Sequence, residues 1–128
     1  MLHRLIEAHL NAVEKALDQL SDIRVDRYIE EALSSQRMNL RIRIRVSNGN
    51  LLEVDEALQI ESNTLVWVDY RYHYQNAKNQ LIFRYDNTPH FPDLPSFPHH
   101  KHLPTQVIAC TRPKLLHVFQ EALTAQKP

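Results

Sequence analysis

Alternating residues between positions 66 and 86 restrict the fold of this chain more than any other feature. Tyrosine and valine occupy every second position of 66–74, with other residue types between them, and a second apolar segment covers 81–86. A period of two is typical of β-strands with one buried face. The Asn-Ala-Lys-Asn sequence at 76–79 predicts a turn, and therefore an antiparallel hairpin. With this loop, aromatic residues pair on the apolar face: Tyr72 opposite Phe83 and Tyr70 opposite Tyr85.

The same register brings polar side chains together on the other face of the hairpin: Asp69, Arg71, His73, Arg84 and Asp86. One interpretation is a network of exposed ion pairs, each contributing under about 1 kcal/mol. The other is substrate binding, in which Arg71 and Arg84 hold phosphate beside His73, because a planar guanidinium matches phosphate oxygens. We favour substrate binding because a histidine-rich segment follows directly.

A second alternating segment places isoleucine and valine next to three arginines, Arg41, Arg43 and Arg45. The Asn-Gly-Asn sequence at 48–50 predicts a three-residue turn, since a two-residue turn would mix apolar and charged side chains on one face. The predicted pairs are Ile44 with Val54, Val46 with Leu52, Arg45 with Glu53 and Arg43 with Asp55. Together with Arg37, these arginines are candidate contacts to an RNA backbone. The predicted pairing of two of them with carboxylates favours the other interpretation, a solvated face.

Helices are predicted at both ends of the chain. Apolar residues at three- and four-residue steps predict a helix over about 2–20, and Ser21 and Asp22 can cap a second helix. Residues 2–34 would then form a helical hairpin, whose second helix has the apolar face Val25, Tyr28, Ile29, Ala32 and Leu33. A C-terminal helix over about 112–125 would bury Leu115, Leu116, Phe119, Ala122 and Leu123.

The elements together predict an α+β fold and one domain over 1–128, with the helical hairpin and C-terminal helix on one face of an antiparallel sheet. Further short strands are predicted over about 57–61 and 105–110. Fifteen Lys and Arg balance fifteen Asp and Glu, so no overall field favours nucleic acid or membrane. The sequence has no secretory signal and no apolar run of the roughly 20 residues that span a membrane, which predicts a cytoplasmic protein.

Five of the seven prolines lie within 87–104, which predicts an irregular loop rather than a helix or a central strand. The same loop carries four of the eight histidines and one lysine: His90, His99, His100, Lys101 and His102. Imidazole titrates near neutral pH, so one histidine can accept a proton while another donates one. RNA supplies its own nucleophile in the 2′-hydroxyl group. A base, an acid and a cation can therefore suffice for cleavage without a metal.

The histidine-rich loop has two other interpretations. It can be a solvated surface, or it can bind a metal through His100 and His102, completed by His90, His99 or Asp86. The sequence has neither a cysteine-rich spacing nor a His-Glu-x-x-His motif, so we expect no metal and no cofactor. The remaining helical histidines and the single cysteine are expected to be structural: His3, His9, His117 and Cys110.

Three segments carry a family resemblance: Tyr-Arg-Tyr-His-Tyr-Gln at 70–75, Leu-Ile-Phe-Arg-Tyr-Asp-Asn-Thr-Pro-His at 81–90, and Phe-Pro-His-His-Lys-His at 97–102. They resemble the TumE-type toxin family of prokaryotic type II toxin-antitoxin systems, and the resemblance covers most of the chain. It implies a small cytoplasmic growth-inhibiting toxin, encoded beside a helix-turn-helix DNA-binding antitoxin that neutralises it by direct contact. The element order is also similar to RelE-like messenger-RNA interferases, which are typically basic, whereas this chain is neutral.

We therefore expect a toxin that acts as a metal-independent endoribonuclease. The expected acid and base come from His99, His100 and His102, with His90 as a partner. The expected phosphate ligands are Arg71, Arg84 and Lys101, and Asp86 would orient a histidine or an arginine. The alternatives are a non-enzymatic module that binds nucleic acid or a partner protein, and a metal-dependent nuclease. An exposed helix face could also serve a homodimer.

Overall fold

Alternating side chains build one antiparallel sheet of seven strands, in which strand order follows chain order. The computed structural model describes residues 1–124 of the chain. Within them the strands are β1 (Ile23–Ser34), β2 (Arg37–Val46), β3 (Leu51–Glu61), β4 (Thr64–Gln75), β5 (Leu81–Asp86), β6 (His100–Leu103) and β7 (Gln106–Ala109). Helix α1 (Arg4–Asp18) precedes the sheet and helix α2 (Leu115–Thr124) follows it. The predicted α+β class is confirmed.

Both helices pack into one apolar core with one face of the sheet, here called the helix face. Each helix buries four side chains: Ile6, Leu10, Val13 and Leu17 from α1, and Leu115, Val118, Phe119 and Ala122 from α2. The helix face meets them with apolar and aromatic residues that include Ile42, Val54, Tyr72 and Phe83. Burying each large apolar side chain contributes about 1.5–3 kcal/mol. The opposite face, here called the polar face, carries most of the charged residues of β2 to β5.

The predicted second helix is wrong, because residues 23–34 form β1 and pair with β2. A register shift explains the first step of the helix-like pattern, whereas Val25, Ile29 and Leu33 of the predicted apolar face are exposed. A bulge at Asp26 makes Val25 and Tyr28 successive residues on the helix face, so that the apolar step there is three residues instead of two. A second shift follows Ala32. Pairing with β1 also gives hydrogen-bond partners to the backbone groups on the outer side of β2, which a separate helix would not provide.

Both predicted hairpins form, but each register differs from the prediction by two residues. In β2 and β3, Ile44 lies opposite Leu52, and the turn consists of residues 47–49 instead of 48–50. Gly49 has a φ of +93°, a conformation that favours glycine. In β4 and β5, Tyr72 lies opposite Tyr85 because the turn consists of residues 77–79 instead of 76–79, and a bulge near Ile82 shifts the pairing by one further residue. A shift of two residues preserves the face of a side chain, so the predicted faces are correct from Tyr70 onward in β4 and β5. They are wrong at the start of β4, where a bulge near Val68 puts Trp67 on the helix face and leaves Val68 44% exposed.

The predicted loop 87–104 is wrong over its last residues, because His100–Leu103 form β6 between β5 and β7. The prolines leave 99–103 free, and a proline just outside a strand is compatible with pairing. The predicted strand at 105–110 is confirmed as β7, whereas 57–61 is the second half of β3 instead of a separate strand.

The C-terminal helix is confirmed, although it begins at Leu115 and not at residue 112. Its predicted end at residue 125 lies outside the described residues. Leu116 is 49% exposed, so its predicted burial is wrong, and Val118 takes a core position instead. The helical phase explains both, because Val118 lies three residues after Leu115 on the same side of α2.

Two neighbouring leucines test the packing of α2. We expect Leu115→Ala to lower the free energy of unfolding by about 2–5 kcal/mol, because it leaves a cavity in the core. Leu116→Ala is the matched control and should change it by less than about 0.5 kcal/mol. Urea unfolding followed by circular dichroism measures both. Similar losses in the two variants would contradict this packing.

Candidate functional site

Two rows of paired residues cross the polar face of the sheet. The first row runs through Arg41, Asp55, Arg71, Asp86 and His100, one residue from each of β2 to β6. The second row runs through Arg43, Glu53, His73, Arg84 and His102. Directly paired residues share a face, so the registers alone align these side chains. Arginines thus lie toward β2, and both rows end at histidines of β6.

Alternating charge along the rows produces long ion pairs. Arg71 lies between two carboxylates, with nitrogen-to-oxygen distances of 3.7 Å to both Glu53 and Asp55. Arg41 approaches Asp55 at 3.8 Å, and Arg43 approaches Glu53 at 3.6 Å. These separations exceed hydrogen-bond distance, and exposed pairs contribute under about 1 kcal/mol each. The arginines are therefore weakly held.

Three side chains converge where the rows end, and we call them the Asp-His-His cluster: Asp86, His100 and His102. The Asp86 carboxylate lies 2.9 Å from His100 Nε2 through Oδ1 and 3.4 Å from His102 Nε2 through Oδ2. The two Nε2 atoms are 3.0 Å apart. The Asp86 and His100 side chains are 8% and 1% exposed, whereas His102 is 25% exposed. Only His102 offers substantial surface to a substrate.

Hydrogen bonds around the cluster constrain where its protons lie. His100 Nδ1 is 2.9 Å from the Pro98 carbonyl, which only accepts, so this nitrogen carries a proton. Its Nε2 lies beside the Asp86 carboxylate, so either a proton or a bound cation must separate the two atoms. The backbone N–H of Thr88 donates to the same carboxylate at 3.0 Å. Burial lowers the pKa of His102, and the Asp86 charge opposes this effect.

The cluster also has the chemistry of a metal site. The three ligand atoms lie within 4.8 Å of one another, and two imidazoles with a carboxylate suit zinc or another transition metal. The Pro98 carbonyl orients His100 as second-sphere acceptors orient metal-binding histidines. The geometry is thus compatible with either proton transfer or metal binding.

Phe91 covers the cluster from the loop that joins β5 to β6. Its ring centroid is 4.9 Å from that of His100 and 5.8 Å from that of His102. An aromatic ring at this position limits the access of water, which strengthens the electrostatic interactions beneath it. Phe91 was not among the predicted site residues, because an aromatic residue among prolines gives no signal beyond its proximity to His90.

Lys101 lies away from the cluster, because neighbouring residues of a strand point to opposite faces. Its ammonium group is on the helix face, where it donates to Glu121 at 2.6 Å and lies 4.7 Å from the Tyr85 ring. His99 is also elsewhere, with Nδ1 2.9 Å from the Tyr70 hydroxyl, and His90 is exposed in the loop. The structure therefore brings together only two of the four loop histidines.

The remaining predicted ligands lie along the polar face. Arg84 donates from Nε to His73 Nδ1 at 3.0 Å, and His73 Nε2 lies 2.8 Å from the Gln75 side-chain oxygen. His73 is therefore a neutral imidazole with its proton on Nε2. Arg45 donates to the Gly49 carbonyl at 3.2 Å and contacts Asp26 at 3.8 Å, at the far edge of the rows.

Glu56 is a buried carboxylate that the sequence analysis missed. It lies on the helix face, 2.7 Å from His9 Nε2 of α1, and accepts hydrogen bonds from Trp67 and Tyr72. Burial alone would raise the pKa of Glu56, but these hydrogen bonds lower it below its usual value. A glutamate at an apolar position of the β3 alternation was the available signal. Its contacts attach α1 to the sheet.

Fold and site together define the class of this protein. It is an α+β protein with helices on one face of a meandering sheet and a histidine-aspartate cluster on the other. A family model described as Toxin TumE matches residues 13–126, so the chain belongs to the Toxin TumE family. The family makes it the toxin component of a toxin-antitoxin module, with an antitoxin as its partner.

Two other comparisons add no relatives, since neither the curated proteins nor the solved structures include a match. Among residues 1–124, no helix is both long and apolar enough to span a membrane.

His73 provides a test of the neutral imidazole on the polar face. Burial lowers the pKa of His73 from 6.5, so the unfolded chain binds this proton more tightly than the folded protein. The stability that neutral His73 contributes is fully present above the pKa of His73 in the unfolded chain. It is lost as pH falls through the pKa of His73 in the folded protein. We expect unfolding free energy to fall between about pH 7.5 and about pH 5.

The matched variants are His73→Gln, which cannot titrate, and His117→Gln at an exposed position of α2. His73→Gln should show a smaller loss of stability on acidification than the wild type. His117→Gln should follow the wild type. Identical pH profiles for His73→Gln and the wild type, measured by urea unfolding, would exclude this account of His73.

Proposed function

We propose that this toxin is an endoribonuclease that cleaves RNA at the Asp-His-His cluster without a metal. The main observation in support is that Asp86, His100 and His102 converge at one end of a sheet face that also bears arginines. A proton-transfer centre next to phosphate ligands is the minimum that RNA cleavage needs, because the 2′-hydroxyl is the nucleophile.

His102 is the proposed catalytic base, since it is the most exposed member of the cluster. In this proposal the His102 imidazole accepts the proton of the 2′-hydroxyl, and the Asp86 carboxylate, 3.4 Å from His102 Nε2, stabilises the positive charge that the ring then carries. The same arrangement of carboxylate, imidazole and hydroxyl activates nucleophiles in other hydrolases. The lowered pKa of His102 favours the neutral ring that a base requires. Asp86 and His100 are positioning residues, because they are buried beneath it.

The remaining steps use groups beside the cluster. The 2′-oxygen forms a bond to phosphorus, the bond from phosphorus to the 5′-oxygen breaks, and that oxygen takes up a proton. His90 is the proposed acid, because it is exposed in the loop that also carries Phe91 over the cluster. Arg84, paired with His102 across β5 and β6, and Arg71 in the neighbouring row are the proposed phosphate ligands. Lys101 is not part of this proposal, because Glu121 binds it on the helix face.

Two other functions have specific support. The ligand geometry of the cluster favours a metal-dependent nuclease as the second candidate. A non-enzymatic toxin that occupies nucleic acid through Arg41, Arg43 and Arg45 is the third.

The proposed antitoxin is a helix-turn-helix DNA-binding protein that neutralises the toxin by direct contact. A homodimer stays a prediction, and the exposed Leu116 of α2 is a candidate contact for it.

Substitution of the cluster tests the proposed base. We expect His102→Ala to lower the rate of cleavage of a defined RNA by about 100- to 10,000-fold, the usual contribution of general acid-base catalysis. His117→Ala is the matched control, because His117 is exposed on α2. Circular dichroism checks that both variants fold. A folded His102→Ala protein that cleaves at the wild-type rate would overturn the assignment.

Chelation separates the first two candidate functions. We expect cleavage by the purified toxin to be unchanged in excess EDTA, because proton transfer by histidine needs no metal. Loss of cleavage with EDTA, and recovery on adding zinc or manganese, would replace the proposal with the metal-dependent nuclease. Elemental analysis of the same preparation measures the metal content directly.

A further inference from the structure

A groove lies on the polar face beside the Asp-His-His cluster. Its volume is about 800 Å³, and it lies over β1 to β4. Five arginines line it: Arg27, Arg37, Arg41, Arg43 and Arg71. Arg27 was not among the sequence-predicted ligands. The proposed reaction at the cluster uses only the end of the groove at Arg71.

The charge of the groove favours an anionic ligand. Three carboxylates of its lining belong to the polar face, Glu53, Asp55 and Asp69. Glu56 also borders the groove, but its carboxylate is on the helix face with His9. Five guanidinium groups thus face three carboxylates. The surplus is local, because the whole chain has a net charge of zero.

Three of the five groove arginines are held only by long ion pairs, whereas Arg37 donates to the Leu58 carbonyl at 3.3 Å. The closest carboxylate oxygens lie 3.6–3.8 Å from Arg41, Arg43 and Arg71, too far for hydrogen bonds. Arg43 Nε is buried and has no hydrogen-bond partner within residues 1–124. An unpaired buried donor is unfavourable, so a ligand oxygen that reaches it would stabilise the complex. Arg41 is 67% exposed and can move toward a ligand without losing a strong contact.

The rows connect the groove to the cluster. Arg41 and His100 belong to the first row and are four strands apart. Strands are spaced by about 4.8 Å, so this separation is about 19 Å along the sheet. A stacked strand of nucleic acid advances about 3.4 Å per nucleotide and would span it with roughly six nucleotides.

We propose that the groove binds single-stranded RNA on one side of the scissile bond, with its phosphates on Arg41, Arg43 and Arg71. This inference rests on the proposed function for its choice of RNA. A single strand is required because the 2′-hydroxyl must rotate into line with the leaving oxygen, which a paired A-form helix prevents. RNA-binding proteins also read bases mainly in unpaired segments. The groove therefore makes cleavage depend on substrate length.

Binding is tested first, with the wild-type chain and a fluorescent single-stranded decamer whose 2′-hydroxyls are methylated. This probe cannot be cleaved, so the result does not depend on nuclease activity. We expect Arg41→Ala/Arg43→Ala to weaken binding roughly tenfold, and to reduce the slope of log K against log salt by about 1.4. Arg4→Ala is the matched control, because Arg4 is exposed on α1, and it should bind like the wild type.

Cleavage is tested second, with an unmodified decamer and a dinucleotide. The double variant should lose roughly tenfold in kcat/KM for the decamer and keep the wild-type value for the dinucleotide, which does not reach β2. Wild-type binding by the double variant, or no binding of the decamer by the wild type, would overturn the inference. Equal losses on both substrates would also overturn it. If the double variant loses binding but the wild type cleaves neither substrate, the groove binds RNA as inferred and the proposed nuclease function is rejected.

Discussion

Pairing register between antiparallel strands is the constraint on which the rest of this structure depends. It sorts each strand into a helix face and a polar face, and it aligns paired residues into rows across the sheet. Asp86 meets His100 because β5 and β6 are paired at those two residues. A slip of one residue would turn the cluster into the core and bring Tyr85 to the surface. The site and the core therefore have one physical origin.

The buried ionisable groups on the two faces of the sheet are paired in different ways. On the helix face, Glu56 is satisfied by His9, Trp67 and Tyr72, so its role is to attach α1. On the polar face, Asp86 and His100 are also buried, but His102, which contacts both, is partly exposed to solvent. Burying ionisable groups is unfavourable unless they are paired. A paired cluster with one exposed member is consistent with the proposed role of His102.

Sequence alone predicted the faces of the sheet, because a period of two is visible in Tyr70–Tyr74 and in the arginines of β2. It did not predict β1, where the bulge at Asp26 imitates a helical step. It also placed His100 and Lys101 in one loop cluster. Their separation onto opposite faces depends on β6, which pairs with β5 on one side and β7 on the other. Local patterns cannot report such long-range pairing.

The central claim is that the Asp-His-His cluster contacts the scissile phosphodiester of RNA. A crystal structure of the wild-type toxin with a single-stranded oligonucleotide that lacks the 2′-hydroxyl tests it most directly. The account predicts a phosphate next to Arg84 with the adjacent ribose at the His102 imidazole, and the strand continuing over Arg71 toward β2. An oligonucleotide bound on the helix side, or one whose backbone avoids His102, would contradict it.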